Sequence, residues 1–150
     1  RLLHRHALDS GGIRPHPSRP PVLKPETHRS ALVEAATGGN PKFFLGTDSA
    51  PHAREAKETA CGCAGMYTAH AALELYARAF ETAGALDRLE GFASRHGPAF
   101  YGLPPNNGSV MLEKVDWQVP DSYPLADSTV VPLFAGATLG WRMKEPGKTG

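Results

Sequence analysis

A short apolar run that stops at an acidic residue constrains this chain more than any other feature. Residues 41–52 read PKFFLGTDSAPH. Phe43, Phe44 and Leu45 are consecutive apolar residues, too few for a helix, so KFFLGT over 42–47 predicts a buried parallel strand. Such a strand delivers the next residue, Asp48, to its carboxyl end, where α/β barrels gather their catalytic groups. The flanks fit this reading. Upstream, Leu32, Val33, Ala35 and Ala36 supply the apolar side of a helix over about 28–37, with Thr27 as its cap and Gly38-Gly39-Asn40 as its stop. Downstream, after a polar loop, Ala69, Leu73, Tyr76 and Phe80 recur at helical spacing from Met66 to about Ala83, and Gly84 ends that helix. Leu86, Leu89, Phe92 and Ala93 predict a second helix closed by Gly97-Pro98. Helix, strand, loop and helix in this order describe an α/β protein with parallel strands.

The ends of the chain are less regular. Residues 11–25, GGIRPHPSRPPVLKP, carry five prolines and two glycines, so beyond a short strand near Ile13 the segment reads as extended loop. In the last third, VMLEKVDWQV alternates weakly and STVVPLFAGATLGWRMK mixes β-branched residues with Gly and Pro. Both read as short extended pieces packed against the body, and residues 145–150 as a disordered tail. At 150 residues the chain holds one domain's worth of material, and 41% hydrophobic residues are enough for a core. Sixteen basic residues against fifteen acidic ones leave a net charge of +1, so no global field steers the chain to nucleic acid or to a membrane surface. No apolar run approaches the roughly 18 residues of a spanning helix. The start, RLLHRHALDS, has no initiator Met and no signal-peptide core, which predicts a fragment entered in mid-sequence.

Asp48 and His52, four residues apart in one loop, are the first site candidates. A carboxylate at such a rim can ligate a divalent metal and move protons, and a nearby His can hold a substrate carboxylate. Spacing alone leaves open the plainer role of an Asp that caps a turn before Pro51. Cys61 and Cys63 are the only cysteines. A disulfide across one residue is strained, and C-x-C without further Cys or a nearby His pair makes a poor zinc site. Lys57 and Arg54 read as solvated loop residues. His28, His70 and His96 fall on or beside predicted helices with solvated or satisfied roles, and His16 either lines the site or makes a structural hydrogen bond. Trp117 and Trp141 read as core or interface anchors.

GTDSAPH, followed by Lys57-Glu58 and by CGCAG at 61–65, resembles the class II dihydroorotases of the amidohydrolase superfamily. GGIRPH at 11–16, P-x-L-K at Pro21 to Lys24, GPAFYGLP at 97–104 and VPLFAG at 131–136 follow the family in order. The similarity covers nearly all of this chain and the last two-fifths or so of a complete family member. It implies the carboxy-terminal part of a (β/α)8 TIM barrel: about the last two strand–helix units plus an extension. A full barrel needs roughly 200–250 residues.

The resemblance implies reversible cyclisation of N-carbamoyl-L-aspartate to L-dihydroorotate in pyrimidine biosynthesis, at a binuclear zinc centre. It places Asp48 as metal ligand and proton shuttle, His52 and the backbone at Ala64 on the substrate carboxylate, and Pro20 where the family's main chain also holds substrate. Here the sequence departs from the family, because a proline at 20 has no N–H to donate. The family's His-x-His pair, carboxylated lysine and two further histidines lie on earlier strands. His4-Arg5-His6 mimics the first, but only about forty residues separate it from Asp48, too few for the intervening strand–helix units. Those two histidines therefore read as rim or surface residues. The family further implies a cytoplasmic enzyme (organellar in a plant or alga), a small-molecule substrate and a homodimer. This chain alone is expected to be inactive. A different reading is a non-catalytic dihydroorotase-like remnant serving as a structural or interaction subunit. A hydantoinase-like cyclic amidohydrolase is a third, and the CGCAG loop argues against it.

Overall fold

The computed structural model describes residues 25–59 and 63–144. Pro25 starts the first helix, α1 (Glu26–Thr37), because its carbonyl accepts the amides of His28 at 3.0 Å and Arg29 at 3.2 Å. Arg29 Nε, 2.8 Å from Glu26 Oε1, clamps the same turn, so Thr27 lies inside the helix and is not its cap. At the other end the carbonyl of the buried Thr37 accepts Arg88 Nη1 at 2.9 Å, a cation on a helix C-terminus. Gly39, at φ 79°, turns the chain where a side chain would be strained. No helix among the described residues is long and apolar enough to cross a membrane.

Two compact units divide the described chain. One comprises 25–32, 47–72 and 118–137, the other 33–46, 73–117 and 138–144. The segment 42–47 does not form the expected strand among the described residues: Lys42 lies in a turn, and 43–47 have no regular structure and no ladder partner. Its polar groups find other partners: the Leu45 amide donates to Phe92 O at 3.0 Å, and Tyr76 Oη donates to Gly46 O at 3.0 Å. Burial of that hydroxyl raises the Tyr76 pKa above the usual tyrosine value.

The helix expected from Met66 starts later. A 3-10 turn at Ala69–Ala71 leads into α3 (Ala72–Thr82), α2 being the short helix Arg54–Lys57 described below. Leu75, Ala77 and Phe80 face inward on α3, and Gly84, at φ 66°, ends it as expected. The next helical stretch opens with a 3-10 turn, Leu86–Arg88. It does not close at Gly97-Pro98. A π-turn over Gly91–Arg95 leads into α4 (His96–Tyr101), and Gly102 in the left-handed region caps it. The wider turn carries the His96 amide to Gly91 O, and Pro98 falls in the first turn of α4, where a missing N–H costs little. Phe80, Ala85 and Phe92 form the core, with Ala36, Leu45, Tyr76 and Leu89 packed around them. The Phe80 and Phe92 rings lie 5.2 Å apart.

The last third is short strands, as expected. In the second unit β1 (Leu112–Glu113) pairs antiparallel with β6 (Arg142–Met143), in register Leu112–Met143. The buried carboxylate of Glu74 accepts the Met143 amide at 3.1 Å. Trp141 Nε1 donates to Glu81 Oε2 at 3.0 Å and Trp117 Nε1 to Trp141 O at 2.6 Å, so both indoles are hydrogen-bonded packing anchors. β2 (Trp117–Gln118) and β5 (Thr138–Leu139) are two residues each. In the first unit β3 (Tyr123–Leu125) and β4 (Ser128–Val130) make a hairpin in register Tyr123–Val130, turned through Ala126 at φ 49°. Val119 is buried there, with its amide on Ala137 O and its carbonyl on the Gly136 amide. The segment 145–150 lies outside the described residues.

Phe80→Ala removes a fully buried ring from the core. It is expected to lower unfolding free energy by about 3–5 kcal/mol, read from urea denaturation; a loss below about 1 kcal/mol would contradict this packing.

Candidate functional site

The loop after Gly46 is built from hydroxyls that hold its backbone. Ser49 Oγ accepts the amides of Thr68 and Ala69, both at 3.1 Å, and Thr68 Oγ1 donates to Thr47 O at 3.2 Å. Asp48 sits between these two fixed neighbours. Its side chain is exposed and its φ is 47°, in the left-handed region. Asp tolerates that region better than most residues, though holding it there costs on the order of 1 kcal/mol, and such costs cluster at functional sites.

Two residues on, the Ala50 amide donates to Met66 O at 2.9 Å and ties the loop to the segment after CGCAG. The approach is close at Gly65. A Cβ there would stand 2.6 Å from Ala50 O and 2.9 Å from His52 Cδ2, so only glycine fits. This contact brings the half-buried His52 ring against the turn that carries Ala64. Ala64 itself is exposed.

Lys57 locks the turn in place. It ends α2 (Arg54–Lys57), is only 4% exposed, and its Nζ donates to Cys63 O at 2.7 Å and Gly65 O at 2.8 Å. The Cys63 amide donates in return to Ala56 O at 3.1 Å. Burial lowers the Lys57 pKa from the usual lysine value, and the neighbouring Cys63 opposes that shift. The expectation of a solvated Lys57 is therefore wrong: a long stem lets the ammonium fold back onto carbonyls of its own loop. Arg54 is half-buried as well, with its Nε shielded and without a hydrogen-bond partner. Glu55, on the same short helix, accepts Ser128 Oγ at 2.6 Å, which braces α2 against β4 and holds the Glu55 carboxyl below the usual range.

Asp48, His52 and Ala64 thus fall in one unit on two loops that touch. Pro20, His4, His6, His16 and Cys61 lie outside the described residues. Cys63 is an exposed free thiol. His70 lies 5.3 Å from the Tyr67 ring and 5.7 Å from Tyr123, a packed aromatic position. His96 Nδ1 is 3.1 Å from Phe43 O and His28 is exposed. Among the described residues no group of three or more His, Cys, Asp or Glu could hold a metal ion. These residues alone do not fit a zinc centre.

No family model matches the chain. It is 65% identical over 144 residues to the dihydroorotase of Nitrosococcus oceani and 68% identical over 143 residues to that of Aromatoleum aromaticum. The chain is similar to dihydroorotases over their matched part. These alignments cover 96% and 95% of the chain but 42% of each relative, so it spans about two-fifths of their length. Among solved structures, dihydroorotase from Saccharomyces cerevisiae in complex with 5-fluoroorotic acid matches with a TM-score of 0.85 at 32% identity, covering 95% of this chain and 40% of that one. Dihydroorotase from Campylobacter jejuni matches at 0.83 and 30%, over 95% of this chain and 42% of that one.

Gly65→Ala forces the two loops apart. It is expected to cost about 1–3 kcal/mol and to shift the imidazole resonances of His52 in NMR spectra. Unmoved His52 signals with unchanged melting would contradict the contact.

Proposed function

We propose that this chain supplies the proton-transfer and substrate-carboxylate part of a dihydroorotase site, within the carboxy-terminal part of a (β/α)8 barrel. The observation that carries the reading is the packing of Gly65 on His52, which sets a histidine, four residues on from Asp48, beside the exposed residue Ala64 in the touching loop. The identity of 65% and 68% to dihydroorotases supports it, as does the pyrimidine carboxylic acid bound by the yeast relative.

In the hydrolytic direction the oxygen of water adds to the ring carbonyl carbon of dihydroorotate and the ring C–N bond breaks. The proton lost by the attacking oxygen ends on the departing nitrogen, giving N-carbamoyl-L-aspartate. Asp48 accepts the first proton and returns it to nitrogen, and in cyclisation the same carboxylate works in reverse. His52 and the Ala64 N–H hold the α-carboxylate, which leaves the reacting amide free to face Asp48. Pro20 belongs to the same substrate pocket without an amide to offer. Zinc, where bound, would polarise the carbonyl and activate the attacking oxygen, and its other ligands would come from outside the described residues. The small-molecule substrate, cytoplasmic setting and homodimeric state belong to this same reading.

A polypeptide of residues 1–150 alone is expected to show no dihydroorotase turnover with added zinc; measurable turnover would refute this. In the full protein carrying this sequence, Asp48→Ala is expected to reduce kcat by at least about 10²-fold, the span of a lost general acid–base, with melting unchanged. Near-normal kcat would sink the shuttle role. His52→Ala is expected to act mainly on KM, and an unchanged KM would argue against the carboxylate contact.

A further inference from the structure

Lys57 has no part in the chemistry just described, yet it is buried at the centre of the substrate loop. Its two carbonyl partners flank one residue, Ala64. The Cys63 carbonyl and the Ala64 N–H belong to a single planar trans peptide, in which C=O and N–H point in opposite directions. An ammonium 2.7 Å from Cys63 O therefore sets the direction of the Ala64 N–H, away from the lysine. The second bond, 2.8 Å to Gly65 O, fixes the next peptide but one and stops the turn from rotating about Ala64. Cys63 is anchored on its other side by its own amide on Ala56 O. The remaining boundary is steric, since Gly65 is wedged against Ala50 and His52.

We infer that Lys57 is a positioning residue: by holding the carbonyls of Cys63 and Gly65 it presents the Ala64 N–H to the carboxylate of the substrate. The inference rests on the reading of Ala64 given under Proposed function and adds to it the group that aims the donor. The ammonium also polarises the peptide it holds, which strengthens the N–H at the far end as a donor to an anion. A lysine that merely stabilised the loop would affect every ligand of the site alike. A lysine that aims one amide affects ligands that carry a carboxylate.

The test uses the full protein carrying this sequence, with dihydroorotate and with dihydrouracil, the same ring without its carboxylate. Lys57→Met keeps the length of the stem and removes the donors. It is expected to raise KM for dihydroorotate about tenfold, the scale of one lost charge-assisted hydrogen bond, with kcat within about twofold. Inhibition by dihydrouracil is expected to be unchanged. Equal weakening of both compounds, or of neither, overturns the inference. If Lys57→Met loses its cooperative melting transition, Lys57→Arg decides. Its planar fork spaces the donors differently, so a selective loss of dihydroorotate is expected again, and unchanged affinity for both compounds overturns the inference. Wild-type protein without dihydroorotate turnover would instead refute the proposed activity, so the two failures are distinguishable.

Discussion

An ammonium group withdrawn from water costs several kcal/mol unless its hydrogens are met by good acceptors. Lys57 meets that condition with carbonyls from its own loop, at 2.7 and 2.8 Å, and the local architecture follows from it. The short helix α2 ends at this residue, whose side chain turns back to Cys63 and Gly65. A helix of four residues has little stability of its own, since nucleation is barely repaid over one turn. What holds it is the lysine at one end and the Ser128 hydroxyl on Glu55. The turn at 63–65 and the helix at 54–57 thus stabilise each other.

The same economy governs the Asp48 loop. Neither Thr47 nor Ser49 lies in a helix or a strand, yet each is hydrogen-bonded to 68–69 through a hydroxyl. A backbone fixed on both sides can keep the residue between them at φ 47°, a conformation that a free loop would relax. Side-chain hydroxyls replace the ladder that a strand end would provide. Asp48 is therefore held by its neighbours while it stays exposed itself.

How far the sequence reveals this depends on the kind of force involved. Helices driven by apolar spacing are legible: α3 buries Phe80 as its periodicity predicts, and Gly84 and Gly39 stop helices where expected. Boundaries set by local hydrogen bonds are not. Pro25 accepts the first amides of α1 ahead of Thr27, and a π-turn lets the later helix continue through Gly97-Pro98. The run KFFLGT has the composition of a strand, but a strand is a pairing, and none of the described residues pairs with it. At the site, Asp48, His52 and Ala64 stand out through the motifs around them. Lys57 does not, because a lone lysine in a polar loop is ordinarily solvated. Only the six-residue return to Cys63 reveals what its stem spans.

Lys57, the Cys63–Ala64 peptide and a bound carboxylate form a line of alternating charge in the proposed role: cation, carbonyl oxygen, amide hydrogen, anion. Each member polarises the next, and in surroundings of low dielectric such a chain is stronger than its separate pairs. The arrangement has a further consequence for selectivity. An ammonium placed directly on the ligand would attract any anion from any direction, as a flexible point charge does. Behind a rigid peptide, the same charge acts through one N–H whose direction is fixed by planarity. The hydrogen bond that this charge strengthens is available only where the ligand's carboxylate meets that hydrogen. Burying the lysine one peptide away from the substrate therefore exchanges reach for direction, and direction is what an amide cyclisation needs when the reacting nitrogen and carbonyl must face a single carboxylate.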